Sequence, residues 1–175
     1  MKTPTIKTKD FILRPYRKGD RKSLQNNINN KKIYERVSNI PYPYTMKDAR
    51  DWIKKKLKEE RQKKRTSMAF AIDIGREVVG SIGLASMITG HKAEVGYWLA
   101  EKYWNKGIMT KAVKLITKFG FSKLKLKRMA IRVLLFNKAS RRVAEKAGYK
   151  FEGILRKDIK KGNKFLDDYL FAKVK

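Results

Sequence analysis

Between Met68 and Ala100 the chain carries three β-prone apolar runs separated only by tight turns, and no other feature constrains its fold more. Met68–Ile74 is followed by Gly75-Arg76-Glu77, Val78–Met87 by Thr89-Gly90-His91-Lys92, and Ala93–Ala100 closes the series. Strands joined this closely leave no room for a crossover and must pair antiparallel. A meander therefore occupies the middle of the molecule. On either side the apolar spacing becomes helical.

Before the meander, Phe11–Tyr16 reads as a short strand stopped by Pro15 and the turn Lys18-Gly19-Asp20. Asp20 is a candidate cap for a helix in which Leu24, Ile28, Ile33 and Val37 keep roughly helical spacing through Ser38. Pro41-Tyr42-Pro43-Tyr44 breaks that helix. Thr45 with Asp48 forms a capping-box variant ahead of a basic helix whose stripe is Ala49, Trp52, Ile53 and Leu57. After the meander come a helix (Met109–Leu124), a strand (Arg128–Leu135), a helix (Asn137–Lys146, ended by Gly148) and a hairpin of Tyr149–Ile159 with Phe165–Val174. The predicted order is β-α-α-β-β-β-α-β-α-β-β. This is one mixed α/β (α+β) domain over residues 1–175, with about seven strands and four helices, and its length suits a single core.

Composition narrows the chemistry. Cysteine is absent and His91 is the one histidine, so disulfides, thiolate zinc sites, a Cys nucleophile and a histidine-rich metal site are excluded. No apolar run approaches the ~20 residues of a membrane helix, and Met1–Asp10 lacks the apolar stretch of a signal peptide. A cytoplasmic protein without metal or membrane partner is expected. The formal net charge is +29, and Lys102–Ala144 holds 13 Lys/Arg and no Asp or Glu. A second cluster, Lys54–Arg65, has eight Lys/Arg against Glu59 and Glu60. Such a surface attracts polyanions, or else simply decorates solvated helix faces.

The stretch most informative about chemistry is Glu94-Val95-Gly96-Tyr97-Trp98-Leu99-Ala100 followed by Tyr103-Trp104-Asn105-Lys106-Gly107-Ile108-Met109-Thr110. A strand passes through a short polar link and a glycine into a helix. The amides of residues 105–110 face out of the helix start, where the positive end of the dipole favours phosphate, and Lys106 adds a charge. The glycine and lysine spacings of a Walker loop or a dinucleotide fingerprint are missing.

With these pieces in place, the sequence resembles the GNAT superfamily of acetyl-CoA-dependent N-acetyltransferases, in the branch of the ribosomal-protein-alanine acetyltransferases. The resemblance spans nearly the whole chain. It rests on Phe11-Ile12-Leu13-Arg14-Pro15, on Pro41–Thr45 with Asp48-Ala49 and Trp52-Ile53, on Glu94–Leu99 leading into Trp104–Thr110, and on Asn137–Tyr149 with Glu152-Gly153 and Arg156. It implies that main-chain amides of Trp104, Asn105, Lys106, Gly107, Ile108, Met109 and Thr110 hold the pyrophosphate of acetyl-CoA. Trp104 and Met109 depart from the superfamily pattern. It further implies that the backbone of Trp98 and Leu99 pairs with the pantetheine arm and that Asn137 bonds the same region; Asn137 also reads as a plain helix cap.

The implied reaction is direct attack of a neutral amine on the thioester carbonyl, which needs a proton acceptor for the amine and a donor for the departing thiolate. Glu94 is the candidate base, with a surface ion pair as its alternative. Many family members carry a tyrosine acid at the position of Ala144, which this chain lacks. Ser140 is the candidate acid, alternatively only a first-turn helix residue, and Tyr97 is an acid candidate or a pocket aromatic. Tyr42 and Tyr44 are placed by the resemblance on the acceptor side, with helix packing as the other reading. His91 is expected to be solvated, and Phe165 and Tyr169 to pack on the sheet. The expected acceptor is a primary amine, foremost a protein N-terminus such as that of a ribosomal protein, with ribosome or RNA association through the basic surface. A small antibiotic or polyamine acceptor and a non-catalytic RNA-binding module are the alternatives, and monomer and homodimer both stay open.

Overall fold

The computed structural model describes residues 1–175. Eight strands form one sheet in the spatial order β1-β2-β3-β4-β5-β6-β8-β7. They are β1 (Ile6–Lys7), β2 (Ile12–Arg14), β3 (Met68–Ile74), β4 (Glu77–Ile88), β5 (Lys92–Leu99), β6 (Arg128–Leu134), β7 (Lys150–Lys161) and β8 (Lys164–Val174). The helices are α1 (Arg21–Ile28), α2 (Lys31–Arg36), α3 (Met46–Glu60), α4 (Ile108–Lys123) and α5 (Lys138–Lys146). The expected meander is β3-β4-β5, antiparallel throughout. Its turns place Gly75 and Gly90 at φ +62° and +77°, a region glycine enters without steric penalty.

The single parallel pair is β5 with β6, joined through α4, as a parallel connection requires a crossover. Strand alternation gives the sheet two faces. On one, Phe70, Ile72, Ile82, Val95, Met129, Ile131 and Phe171 bury against Ile108, Ala112, Val113, Ile116 and Phe119 of α4 and Ala144 of α5. On the other, Ala71, Val78 and Trp98 meet Leu24 and Ile28 of α1, Ile33 of α2 and Ala49 and Ile53 of α3.

The structure differs from the sequence expectation in three places. The helix expected from Asp20 to Ser38 is two helices, because Asn30 takes an extended conformation and its Oδ1 accepts the Lys32 and Ile33 N–H groups, starting α2 afresh. Asp20 does not cap α1 with its side chain. Its carboxylate instead receives both terminal nitrogens of the buried Arg14 at 2.8 Å each, while Asp73 accepts the Arg14 Nε–H at 2.5 Å. The two-residue β1 adds an eighth strand too short to show periodicity. The capping box at α3 forms as expected: Thr45 Oγ1 accepts the Asp48 N–H, and Asp48 Oδ2 accepts the Thr45 N–H.

Candidate active site

The parallel ladder between β5 and β6 runs only from Lys92 to Glu94 on β5 and from Arg128 to Ala130 on β6. Beyond Glu94 the two strands part, while β5 stays paired with β4 through Leu99. The gap leaves the Val95–Leu99 edge without a strand partner on the β6 side. An extended ligand can add to such an edge by backbone hydrogen bonds.

The parted strands lead to the start of α4. Gly107 caps the helix in the left-handed region at φ +74°, and Asn105 is also left-handed at +59°. This backbone turns a series of amides outward. No N–H from Asn105 through Thr110 finds a protein acceptor, and the first N–H to rejoin the ladder is Lys111, bonded to the Gly107 carbonyl. Six successive free amides at a helix N-terminus, with no acidic residue in the first turn, suit a diphosphate. An added Cβ at Gly107 would meet nothing within 4 Å, so the cradle's floor is open.

Neighbouring side chains fix the cradle from behind. Trp104 donates its indole N–H to the Leu99 carbonyl at 2.7 Å, tying the link to the end of β5, and the Arg36 guanidinium lies over its ring. Ile108 and Met109 bury in the main core. The two departures from the superfamily pattern therefore serve packing. Lys106 is exposed, its ammonium 5.5 Å from the centre of the Tyr103 ring. Trp98 packs beneath α1 to α3, and Leu99 on the opposite face.

Across the gap, α5 brings two sequence candidates together. Ser140 Oγ and Tyr97 Oη are 2.8 Å apart, and burial pushes the tyrosine well above its usual range, so it stays a hydroxyl at neutral pH. Asn137 caps α5, its Oδ1 accepting the Ser140 N–H, and its Nδ2 donates to the Arg36 carbonyl. Glu94 lies on the same cavity and is paired with Arg132 of β6, Oε2 to Nε 3.1 Å. The ion pair given as its alternative role is therefore present. Tyr44 is buried in the core under the N-terminal helices and also reaches the cavity wall; its backbone is held by Asn29 and Gln25. Tyr42 stands exposed, its ring 5.8 Å from that of Tyr34. His91 is exposed. Tyr169 packs among Phe151 and Phe171, whereas Phe165 is largely exposed, contrary to the packing expected of it.

Together these surfaces enclose a cavity of about 1040 Å³ running from the Gly107 cradle past Tyr97 and Ser140 to Glu94 and Arg132. Sequence reasoning missed Arg132 and its second partner Asp158 of β7. The signal for Arg132 existed: it lies two residues beyond Ala130, the register partner of Glu94, so alternation puts both charges on one face. Asp158 had no such signal. It follows a left-handed Lys157 in an irregular stretch between Leu155 and Ile159.

A parted parallel pair beside free helix-start amides thus puts an open strand edge and a diphosphate-sized anion cradle on one large cavity. Residues 10–150 match the Acetyltransferase (GNAT) domain family. The chain is 33% identical to the Bacillus subtilis protein YjcK, named a probable N-acetyltransferase, over 95% of both chains. Among solved structures, the microcin C7 self-immunity acetyltransferase MccE in complex with acetyl-CoA and AMP aligns with a TM-score of 0.85 at 23% identity, covering 96% of this chain and 94% of that one. RimL, a ribosomal L7/L12 alpha-N-protein acetyltransferase in complex with coenzyme A, aligns with a TM-score of 0.85 at 19% identity over 98% of both. The chain belongs to the GNAT acetyltransferase family and is an acetyl-CoA-dependent N-acetyltransferase. No helix is long and apolar enough to cross a membrane.

Proposed function

We propose that this enzyme acetylates the N-terminal amine of a protein carried on a polyanionic assembly, such as a ribosomal protein. The observation that carries the reading is the +29 charge. Acetyl-CoA needs only a small part of it, and a free polyamine is repelled by such a field. RNA phosphates are attracted by it in a salt-dependent way. The ribosomal substrate in RimL's name supports the same direction.

In this reading the Asn105–Thr110 amides hold the diphosphate of acetyl-CoA, the free edge of β5 at Trp98 and Leu99 aligns its arm, and Asn137 keeps α5 and Ser140 at the gap. Glu94, directly or through water, takes the proton that the acceptor ammonium must lose. The amine nitrogen forms its bond to the acetyl carbon, the carbon–sulfur bond breaks, and the Tyr97–Ser140 hydroxyl pair supplies a proton to the departing sulfur and regains one from the nitrogen, which sheds it on becoming an amide. Tyr44 lines the acceptor side, whereas Tyr42 is not part of the cavity wall and packs on Tyr34.

The test is transfer of labelled acetyl groups to peptides with free N-termini, aminoglycosides and polyamines in parallel, with sedimentation on ribosomes at low and high salt. Peptide acetylation with salt-sensitive sedimentation is expected. Acetylation confined to small amines would refute the acceptor, and salt-insensitive or absent sedimentation would remove the carrier.

A further inference from the structure

Asp168, on β8 between Leu134 of β6 and Leu155 of β7, is fully buried, and no protein donor reaches either carboxylate oxygen. A buried carboxylate without a partner is costly, and a stable fold retains one where something else supplies the compensation. The charges that reach it come from every strand around it: Asp158 from β7, Arg132 from β6, Glu94 from β5 and Asp167 on β8 itself. Asp167 is already engaged, accepting the Lys157 N–H at 2.8 Å. Arg132 is shared by Glu94 and Asp158, and gives Asp168 no hydrogen bond.

Three carboxylates thus surround one guanidinium, a local excess of two negative charges when all are ionised, inside a chain of net charge +29. Burial, then the repulsion of Asp158, raises the Asp168 pKa to about 6. Empty, and below about pH 6, the cluster relieves part of its excess by holding a proton on Asp168. The side chains of Glu94, Arg132 and Asp158 are each about one-third exposed, and Glu94 and Arg132 line the cavity, so a cation can reach the Glu94 end of the cluster from that side. The three carboxylates do not converge as metal ligands do.

We propose that Glu94, on the cavity wall beside Arg132, is the contact of a subsite for the ammonium group of the acceptor, with Asp158, paired to the same guanidinium, and the buried Asp168 as positioning residues. This deepens the reading of the acceptor as an amine with a free positive charge. It makes ammonium binding release a proton near pH 6 and strengthens it as pH rises through that value, because cation and proton compete for the same excess charge.

The test uses tetra-alanine amide, whose only positive charge is its N-terminal ammonium, its N-acetylated counterpart, and n-butylammonium. Each is titrated calorimetrically into protein loaded with coenzyme A, in two buffers of different ionisation enthalpy. The expected result is binding of both ammonium probes but not the acetylated peptide, with fractional proton release at about pH 6 that vanishes at alkaline pH. Asp168→Asn should weaken the probes roughly tenfold, one pKa unit's worth of interaction, abolish the release and leave acetyl-CoA affinity unchanged. Should that variant not fold, the exposed Asp158→Asn is expected to weaken the probes and move the release to lower pH. Binding of neither probe by the wild type, binding without proton release, or probe affinities that both variants leave unchanged would each overturn the proposal. Acetyl transfer to peptides with no proton release would sink the Asp168 role alone; proton-linked ammonium binding with no peptide acetylation would sink the protein acceptor alone.

Discussion

Replacing Gly107 by alanine isolates the cradle from every packing effect. The added methyl meets no atom within 4 Å, so the penalty is torsional only. A residue with a Cβ at φ +74° and ψ −4° pays about 1–2 kcal/mol over glycine. That strain has two outlets. If the loop keeps its shape, the variant unfolds more easily by that amount and binds acetyl-CoA as before. If the loop relaxes to negative φ, the peptide planes on either side of residue 107 rotate, and the Gly107 and Ile108 amides leave the set of six. Nothing in the protein bonds those amides, but the Ile108 amide shares its peptide plane with the Gly107 carbonyl, so relaxation costs the helix its Lys111 N–H bond to that oxygen. To the extent that the loop relaxes, the penalty falls on affinity, and the acetyl-CoA Kd should rise by up to about 5- to 30-fold, at about 1.4 kcal/mol per factor of ten. Gly107→Val, branched at Cβ, should do more. Calorimetric titration of acetyl-CoA together with urea unfolding measures both outlets. A variant with wild-type Kd and wild-type stability would refute the cradle, since the strain must appear in one or the other.

Arg14→Met leaves the Asp20 and Asp73 carboxylates buried without their shared cation, and urea unfolding should show a loss of about 3–5 kcal/mol; a loss below ~1 kcal/mol would mean water reaches the pair. Tyr97→Phe combined with Ser140→Ala removes the 2.8 Å hydroxyl pair, and kcat should fall about 100-fold with acetyl-CoA affinity unchanged; unaltered kcat would exclude the pair as the sulfur's proton source. Asp168 binds its proton more tightly folded than unfolded, so its contribution to stability is complete below about pH 4 and is lost as pH rises through about 6. Asp10, Asp48, Glu59, Glu101 and Glu152 are shifted the other way, through hydrogen bonds and nearby cations. The wild-type curve is thus a sum, and the Asp168 share is read as its difference from Asp168→Asn, which should flatten between pH 4 and 6; parallel curves would contradict the shift.

How much the sequence disclosed depends on whether each feature is local. The meander was legible because Gly75 and Gly90 mark its turns and β-prone apolar runs flank them. The α3 capping box was legible because its partners, Thr45 and Asp48, are three residues apart. The division of α1 from α2 was hidden, since Asn29-Asn30 sits inside an apolar spacing that a continuous helix would satisfy equally well. In the site, the glycine before α4 and the Glu94 strand could be placed from chain order, and Ser140 and Tyr97 could each be named, but not their contact 43 residues apart. Asp168 was least visible. Within Leu166-Asp167-Asp168-Tyr169 a charged residue reads as solvent-facing, and only the convergence of four strands buries it.

The two charge scales of the molecule act together on the acceptor. At long range the field is set by +29 and repels any free cation, so an isolated amine arrives slowly whatever the pocket offers. Around Arg132 alone the balance reverses, because Glu94, Asp158 and Asp168 outnumber it, while the cavity wall as a whole stays basic. An amine is favoured on both scales only when its single positive charge is tethered to a carrier that is itself strongly negative: the carrier is drawn to the basic helices, and the ammonium is then delivered at short range to the carboxylates. Screening separates the two scales. Salt shortens the outer field to about 8 Å at physiological ionic strength while leaving a partly buried cluster much less affected. The preference for a carried over a free N-terminus should therefore shrink as salt rises, and discrimination between a free and an acetylated N-terminus should persist.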